Sequence, residues 1–131
     1  MIVGDTSVWI ELFRGGAGPS VRVLRQGVAV SDILVGDLIL LEILQGAFDD
    51  THAQALERRM RTFEIATMSD VNLAVEAAGH YRCLWARGVT IRKSIDLLFG
   101  TFCIRHGHAL LHADRDFEPM ATHPGLTLVP T

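Results

Sequence analysis

A three-layer α/β/α fold around a central parallel sheet is the architecture this chain predicts, and three observations predict it. Short, mainly apolar runs recur at 1–4, 33–35, 64–68, 109–111 and 126–129, the one at 33–35 rich in β-branched residues. The stretches between them carry apolar residues at helical spacing. Glycines and small polar residues punctuate the junctions, and strands alternating with helices form parallel sheets covered on both faces. At 131 residues there is room for one core only, so 1–131 is expected to be a single domain that buries about two thirds of the surface of its unfolded chain.

Each element has a local reason. Residues 1–4 read as a buried strand, and Asp5-Thr6-Ser7 as a strand-to-helix junction in which any of the three side chains can cap the helix. Val8, Trp9, Leu12 and Phe13 form the apolar face of that helix, which Arg14-Gly15-Gly16 ends. Ser20 is expected to cap a second helical piece bearing Val21, Val23 and Leu24. After the strand at 33–35, Asp37 is expected to cap a helix running to about Gln45 and stopped by Gly46. The acids Asp49 and Asp50 open a charged helix at 53–62. Ser69-Asp70 opens a long one to Arg87, its apolar positions Val71, Ala74, Val75, Ala78, Cys83 and Leu84 following the helical period. Residues 89–93 link it to a helix that begins just before Asp96 and ends at His106 with Gly107 as its C-cap. The strand at 109–111, a polar loop, a helical turn at 118–121 and a last strand at 126–129 complete the chain.

Several functions are excluded by the bulk properties. The longest uncharged apolar stretch is about 8 residues against the ~20 needed to cross a bilayer. Asp5 interrupts the N-terminal apolar run before a signal sequence can form, so a cytoplasmic protein with no membrane partner is expected. Cys83 and Cys103 have no metal-ligand spacing and are expected to be buried free thiols. The net charge of −3 argues against nucleic acid only if it is evenly spread. Setting aside Asp5, Glu42, Asp96, Asp114 and Asp116 leaves ten acids against twelve bases, eleven of them arginine. Arginine binds phosphate bidentately. A basic rim around an acidic hole is therefore compatible with the negative total, with Arg82 and Arg105 flanking the hole in sequence and Arg14, Arg87, Arg92, Lys93 and Arg115 as the candidate phosphate contacts.

Those five acids carry the chemistry. Asp5, Asp96, Asp114 and Asp116 fall at strand ends or helix starts on one edge of the expected sheet, the edge at which open α/β folds bind ligands. Glu42 lies slightly inside its helix, with Leu38 and Leu41 on or beside its own face, where an unpartnered carboxylate is costly. Grouped carboxylates repel one another, and a hard divalent cation resolves the repulsion. Oxygen-only ligands select Mg²⁺ or Mn²⁺ over Zn²⁺. Metal-dependent phosphodiester hydrolysis is the leading expectation.

At these residues the chain resembles the PIN-domain ribonucleases, specifically the VapC toxins of VapBC toxin–antitoxin pairs. The opening strand with Asp5-Thr6-Ser7, the helix LILLEILQG at 38–46, the third acid within IRKSIDLLFGTFCI and the closing ALLHADRDF match that family in order and spacing over nearly the whole chain. The resemblance implies a three-layer PIN-like fold and a toxic endoribonuclease. Asp5, Glu42, Asp96 and Asp114 would ligate one or two Mg²⁺ or Mn²⁺ ions, Asp116 would support them or bind a second metal ion, and Thr6 and Ser7 would position a metal water or phosphate. It also implies a homodimer that binds RNA and a cognate VapB antitoxin that occludes the site. His112 departs from the Thr or Ser common at its position, which puts the role of that hydroxyl in doubt.

Three rivals are weaker. A phosphatase with a strand-end Asp nucleophile commonly has a second Asp two residues on, where this chain has Ser7. A receiver-like phospho-switch wants a lysine on a late strand end, but Lys93 precedes a helix; neither rival explains Glu42. Zinc held by His106, His108 and His112 would need residues from the two ends of one strand to converge. Trp9, Phe13, Leu38 and Leu41 are expected to be mostly core, with an antitoxin groove as the alternative.

Overall fold

The computed structural model describes residues 1–131. Four strands, β1 (Ile2–Gly4), β2 (Ile33–Gly36), β3 (Glu64–Ala66) and β4 (Ala109–Leu111), form one sheet in the order β3-β2-β1-β4. All three pairings are parallel, with Val3 beside Leu34 and Leu110, and Val35 beside Ile65. Parallel neighbours need long crossovers. Seven helices supply and flank them: α1 (Thr6–Phe13), α2 (Pro19–Arg22), α3 (Asp37–Gln45), α4 (Asp50–Met60), α5 (Val71–Ala86), α6 (Ser94–His106) and α7 (Glu118–Thr122). The expected three-layer α/β/α architecture with a central parallel sheet is what the chain forms.

A core of 25 buried residues runs through the sheet, and Val3, Val35, Leu110 and Leu111 are wholly enclosed. Two glycines allow close approach. A Cβ on Gly36 would overlap the Met68 thioether, and one on Gly100, inside α6, would overlap the methyl end of Met120 on α7. Gly107 ends α6 at φ 69°, a left-handed conformation that favours glycine.

Four local expectations are corrected. Gly36, not Asp37, occupies the N-cap of α3; Asp37 is its first residue, and its Oδ1 accepts from the amides of both Leu38 and Met68 (2.8 and 3.0 Å). Ser20 does not cap α2, which follows Gly18 with Pro19 in its first turn; the Ser20 hydroxyl instead donates to the carbonyl of His112. Residues 126–129 form no strand, only a single parallel bridge between Leu128 and Leu110. On α5 the side turned to the core is Leu73, Ala77 and Leu84; Val71 and Val75 are 80% and 66% exposed, and Cys83 is exposed while Cys103 is buried.

The last error has a plain cause. The helix carries apolar residues on two faces, and periodicity alone does not say which face meets the sheet.

Candidate functional site

The site is assembled at the C-terminal ends of the central strands. β1 ends at Gly4, and Asp5 follows in extended conformation as the N-cap of α1, its carboxylate accepting from the Ser7 amide at 3.3 Å and the Ser7 hydroxyl at 2.7 Å. Its own amide donates to Leu111 at the end of β4 (2.8 Å). The Ser7 hydroxyl also accepts from the Ala113 amide at 3.4 Å, which ties the first acid to the loop that carries the last two. Beside it, Thr6 Oγ1 donates to Glu42 Oε1 at 2.6 Å, linking the start of α1 to the second turn of α3. Both hydroxyls therefore hold carboxylates, a more specific task than the phosphate or water positioning the sequence suggested.

Asp96 is the third residue of α6 and 7% exposed. The 3-10 turn Arg115–Phe117 follows Asp114, whose Oδ1 caps it by accepting from the Asp116 amide (3.0 Å). One carboxylate oxygen from each of Asp96, Asp114 and Asp116 lies within 4.8 Å of the others. Burial, and then the charges of Asp5, Asp114 and Glu42 against the relief supplied by Lys93, push the Asp96 carboxyl up to about 6. Burial likewise raises Asp5, with Glu42 adding to it and the two Ser7 hydrogen bonds opposing it. Asp96 thus lies within electrostatic reach of Asp5, Glu42 and Asp114 and close to Asp116, although these acids are separated by up to 111 positions along the chain; the tight group is Asp96, Asp114 and Asp116, with Asp5 and Glu42 beside it.

That crowding is the test of whether a cation fits. Oxygen-only donors, two of them buried and holding protons too tightly for ordinary carboxylates, match a hard divalent ion. Histidines do not join them. His106 and His108 stack 6.0 Å apart at the far end of β4, with His108 Nδ1 3.2 Å from the N-terminal amine, whereas His112 follows the other end of that strand. The zinc alternative fails on that geometry.

The candidate RNA contacts divide. Lys93 precedes α6 close enough to act on Asp96, Arg115 lies between Asp114 and Asp116, and Arg92 adjoins Lys93. Arg82, on the C-terminal half of α5, lines one groove with Ser94, which places that half of α5, and Arg87 at its end, beside the start of α6. Arg14 caps the opposite end of α1, about 12 Å of helix from Asp5. Arg105 is nine residues beyond Asp96 on α6 and pairs with Asp70 and Glu76 (3.4 and 3.3 Å), so it forms no part of the rim.

One feature escaped the sequence reading. A cleft of about 470 Å³ opens beside Asp114, its walls including Glu11, Ser20, His112 and Arg115. The His112 ring packs on Phe117 with centroids 5.7 Å apart, and its enclosed Nδ1 has no hydrogen-bond partner. No motif signals these walls, because Glu11 and Ser20 come from helices whose relation to β4 is purely tertiary.

The PIN-domain profile matches residues 2–122, which include every acid of the cluster. The chain belongs to the PIN-domain family. Two curated PIN-domain relatives are "VapC ribonuclease Mb1587" of Mycobacterium bovis and "Ribonuclease VapC11" of Mycobacterium tuberculosis. Each is 37% identical over 123 residues, with 92% of both chains covered. Among solved structures, a chain of VapBC-1 from nontypeable Haemophilus influenzae superposes with a TM-score of 0.75 over 98% of this chain and 97% of its own, at 16% identity. That likeness shows the PIN fold. No helix of the chain is long and apolar enough to cross a membrane.

Proposed function

We propose that this PIN domain is a VapC-type toxin: a metal-dependent endoribonuclease that hydrolyses RNA phosphodiester bonds, acts as a cytoplasmic homodimer and is neutralised by a cognate VapB antitoxin. The observation that carries the reading is the clustering of Asp96, Asp114 and Asp116 at one sheet edge, with Asp96 driven up to about 6 by burial and by the charges of Asp5, Asp114 and Glu42. The two mycobacterial relatives, both named as ribonucleases, support it. So does the H. influenzae neighbour, a chain of VapBC-1.

Asp5, Glu42, Asp96 and Asp114 would hold Mg²⁺ or Mn²⁺, with Asp116 beside them. A bound divalent ion supplies a more acidic water and positive charge against the scissile phosphate. The chain's own groups do the rest. Ser7 and Thr6 hold the Asp5 and Glu42 carboxylates in place through their hydroxyls (2.7 and 2.6 Å), so the donors are positioned before any ion arrives. The start of α6 points its positive end at Asp96 and favours the ionised carboxylate. Lys93 and Arg115 stand at the margin of the acids, where they meet phosphates on either side of the cut. The apolar hollow whose lining includes Trp9, Leu12, Phe13 and Phe63 suits a hydrophobic antitoxin segment.

The test is to incubate the purified, antitoxin-free protein with total bacterial RNA in Mg²⁺ or Mn²⁺, beside an EDTA control and Asp96→Asn, and to sequence the new ends. Specific cuts lost in both controls support the reading. A folded, metal-loaded protein that leaves every RNA pool intact sinks it, and small phosphoesters then become the substrates to try.

A further inference from the structure

The cleft of about 470 Å³ walled by Glu11, Ser20, His112, Asp114 and Arg115 has no part in the hydrolysis described above. Its size is that of a small-ligand site, and its walls are polar. Asp114 belongs both to this cleft and to the acid cluster, so an occupant of the cleft lies directly beside the reacting phosphate.

Glu11 is the unexpected member. It is half-buried on α1, and the turn from Gly16 to Gly18 folds over it so closely that a Cβ on either glycine would overlap its side chain. Its Oε1 accepts one amide, that of Gly18, at 3.1 Å, and no cation pairs with it. A carboxylate has about four acceptor sites. Most of this one's capacity is therefore unused, in a side chain already fixed in place. His112 supplies the opposite group. Its Nδ1 is enclosed without a partner, and an enclosed N–H with no acceptor is the costlier arrangement, so the ring proton belongs on Nε2, the nitrogen left to the cleft.

A fixed acceptor beside a phosphate is a cost unless the strand offers it donors, and phosphates and most sugar oxygens offer none. Unpaired RNA bases are read on their Watson–Crick edges. Guanine alone carries two neighbouring donors there, N1–H and the N2 amino group, with the acceptor O6 next to them. Adenine and cytosine set one amino group beside a bare ring nitrogen, and uracil sets one N–H between two carbonyls. An arginine from a protein partner would satisfy Glu11 but would bring no acceptor for the His112 N–H. We propose that this cleft is a guanine subsite: the Glu11 carboxylate accepts from N1–H and the N2 amino group of an unpaired guanine in a nucleotide adjoining the cut, and His112 Nε2–H donates to its O6. This deepens the nuclease reading, on which it rests for its substrate, by naming the base beside the scissile bond.

Two measurements keep the subsite and the nuclease reading apart. In the first, nucleoside 5′-monophosphates are titrated into the metal-free protein and followed by amide NMR. GMP should move the signals of Gly18, His112 and Arg115 and bind roughly 10-fold or more tightly than AMP, CMP or UMP, with IMP, which lacks the N2 amino group, weaker than GMP. Glu11→Gln keeps an acceptor for the Gly18 amide and should erase that preference; His112→Phe keeps the packing on Phe117 and should reduce it. In the second, sequencing of cut RNA ends should find guanine at one fixed position beside the cut, and the ratio of cuts with that guanine to cuts without it should fall roughly 5- to 100-fold in Glu11→Gln. A structural role for Glu11 would lower every cut alike and leave the ratio unchanged, which overturns the proposal. So does the absence of a GMP preference, or a cleft whose signals move only on addition of antitoxin. RNA cut without regard to guanine defeats the subsite and leaves the nuclease reading intact. Selective GMP binding in a protein that cuts no RNA leaves the subsite standing and defeats only the nuclease reading.

Discussion

The acid edge and the outer face of α5 break opposite rules of protein surfaces. At the edge, Asp5 and Asp96 are buried charges, 5% and 7% exposed; on α5, Val71 and Trp85 are apolar side chains left in water. The chain itself satisfies neither. Hydroxyls and backbone amides hold the carboxylates but do not neutralise them, whereas nothing in the chain covers the α5 side chains. The two sites therefore ask for different company, an ion at the first and an apolar surface at the second. They lie at the two faces of one helical hairpin, because α6 carries Asp96 and α5 packs against it.

The strongest way to break the first half of that contrast is to remove a charge. Asp96→Asn is expected to lower RNA cleavage by at least ~100-fold, the size of losing a metal or transition-state contact, while the metal-free protein becomes no less stable. Equal loss of cleavage and of thermal stability would make Asp96 structural. Titration sharpens the same half. A carboxyl raised from 3.8 to about 6 in the folded state contributes stability that is fully present below pH 4 and is lost as pH rises through 6. Metal-free protein should thus lose up to about 3 kcal/mol from this group between pH 4 and 7. Mg²⁺ should restore the melting temperature at pH 7, and Asp96→Asn should make the profile shallower, leaving the part that the raised Asp5 contributes. A melting temperature that rises steadily across that range in EDTA would contradict the account.

Smaller effects separate the edge from its scaffold. Gly100→Ala forces a methyl group into Met120 and is expected to cost about 1–3 kcal/mol, seen as a lower urea midpoint. Ser7→Ala leaves Asp5 and the Ala113 amide each one partner short, a loss of about 1–2 kcal/mol with a disproportionate fall in cleavage. On the α5 side Cys83→Ser, at an exposed free thiol, should leave stability and oligomeric state unchanged within about 0.5 kcal/mol.

What could be read in the sequence follows the same division. Asp5, Glu42, Asp96 and Asp114 were legible because each sits at a local signal, a strand end, a helix start or an aliphatic run that makes a carboxylate conspicuous. The parallel sheet was legible from alternation. The task of Asp37 was not, since its second partner, the Met68 amide, lies 31 positions away and only β2–β3 pairing brings it there. Arg105 flanks Asp96 in the chain yet faces Asp70 and Glu76, because nine helical residues carry it about 13 Å down α6. On α5, Val71 and Leu73 are equally apolar, and only packing against α6 decides which is buried. Residues 126–129 read as a strand on composition and form a single bridge, their pairing being confined to Leu110.

The Ser7 hydroxyl joins Asp5, made almost first, to Ala113, made almost last. Asp5 and Glu42 precede Asp114 by 109 and 72 positions, so the cluster joins residues from both ends of the described sequence. A fragment that stops short of Ala113 therefore leaves Asp5 without this link and the acid cluster without Asp114 and Asp116.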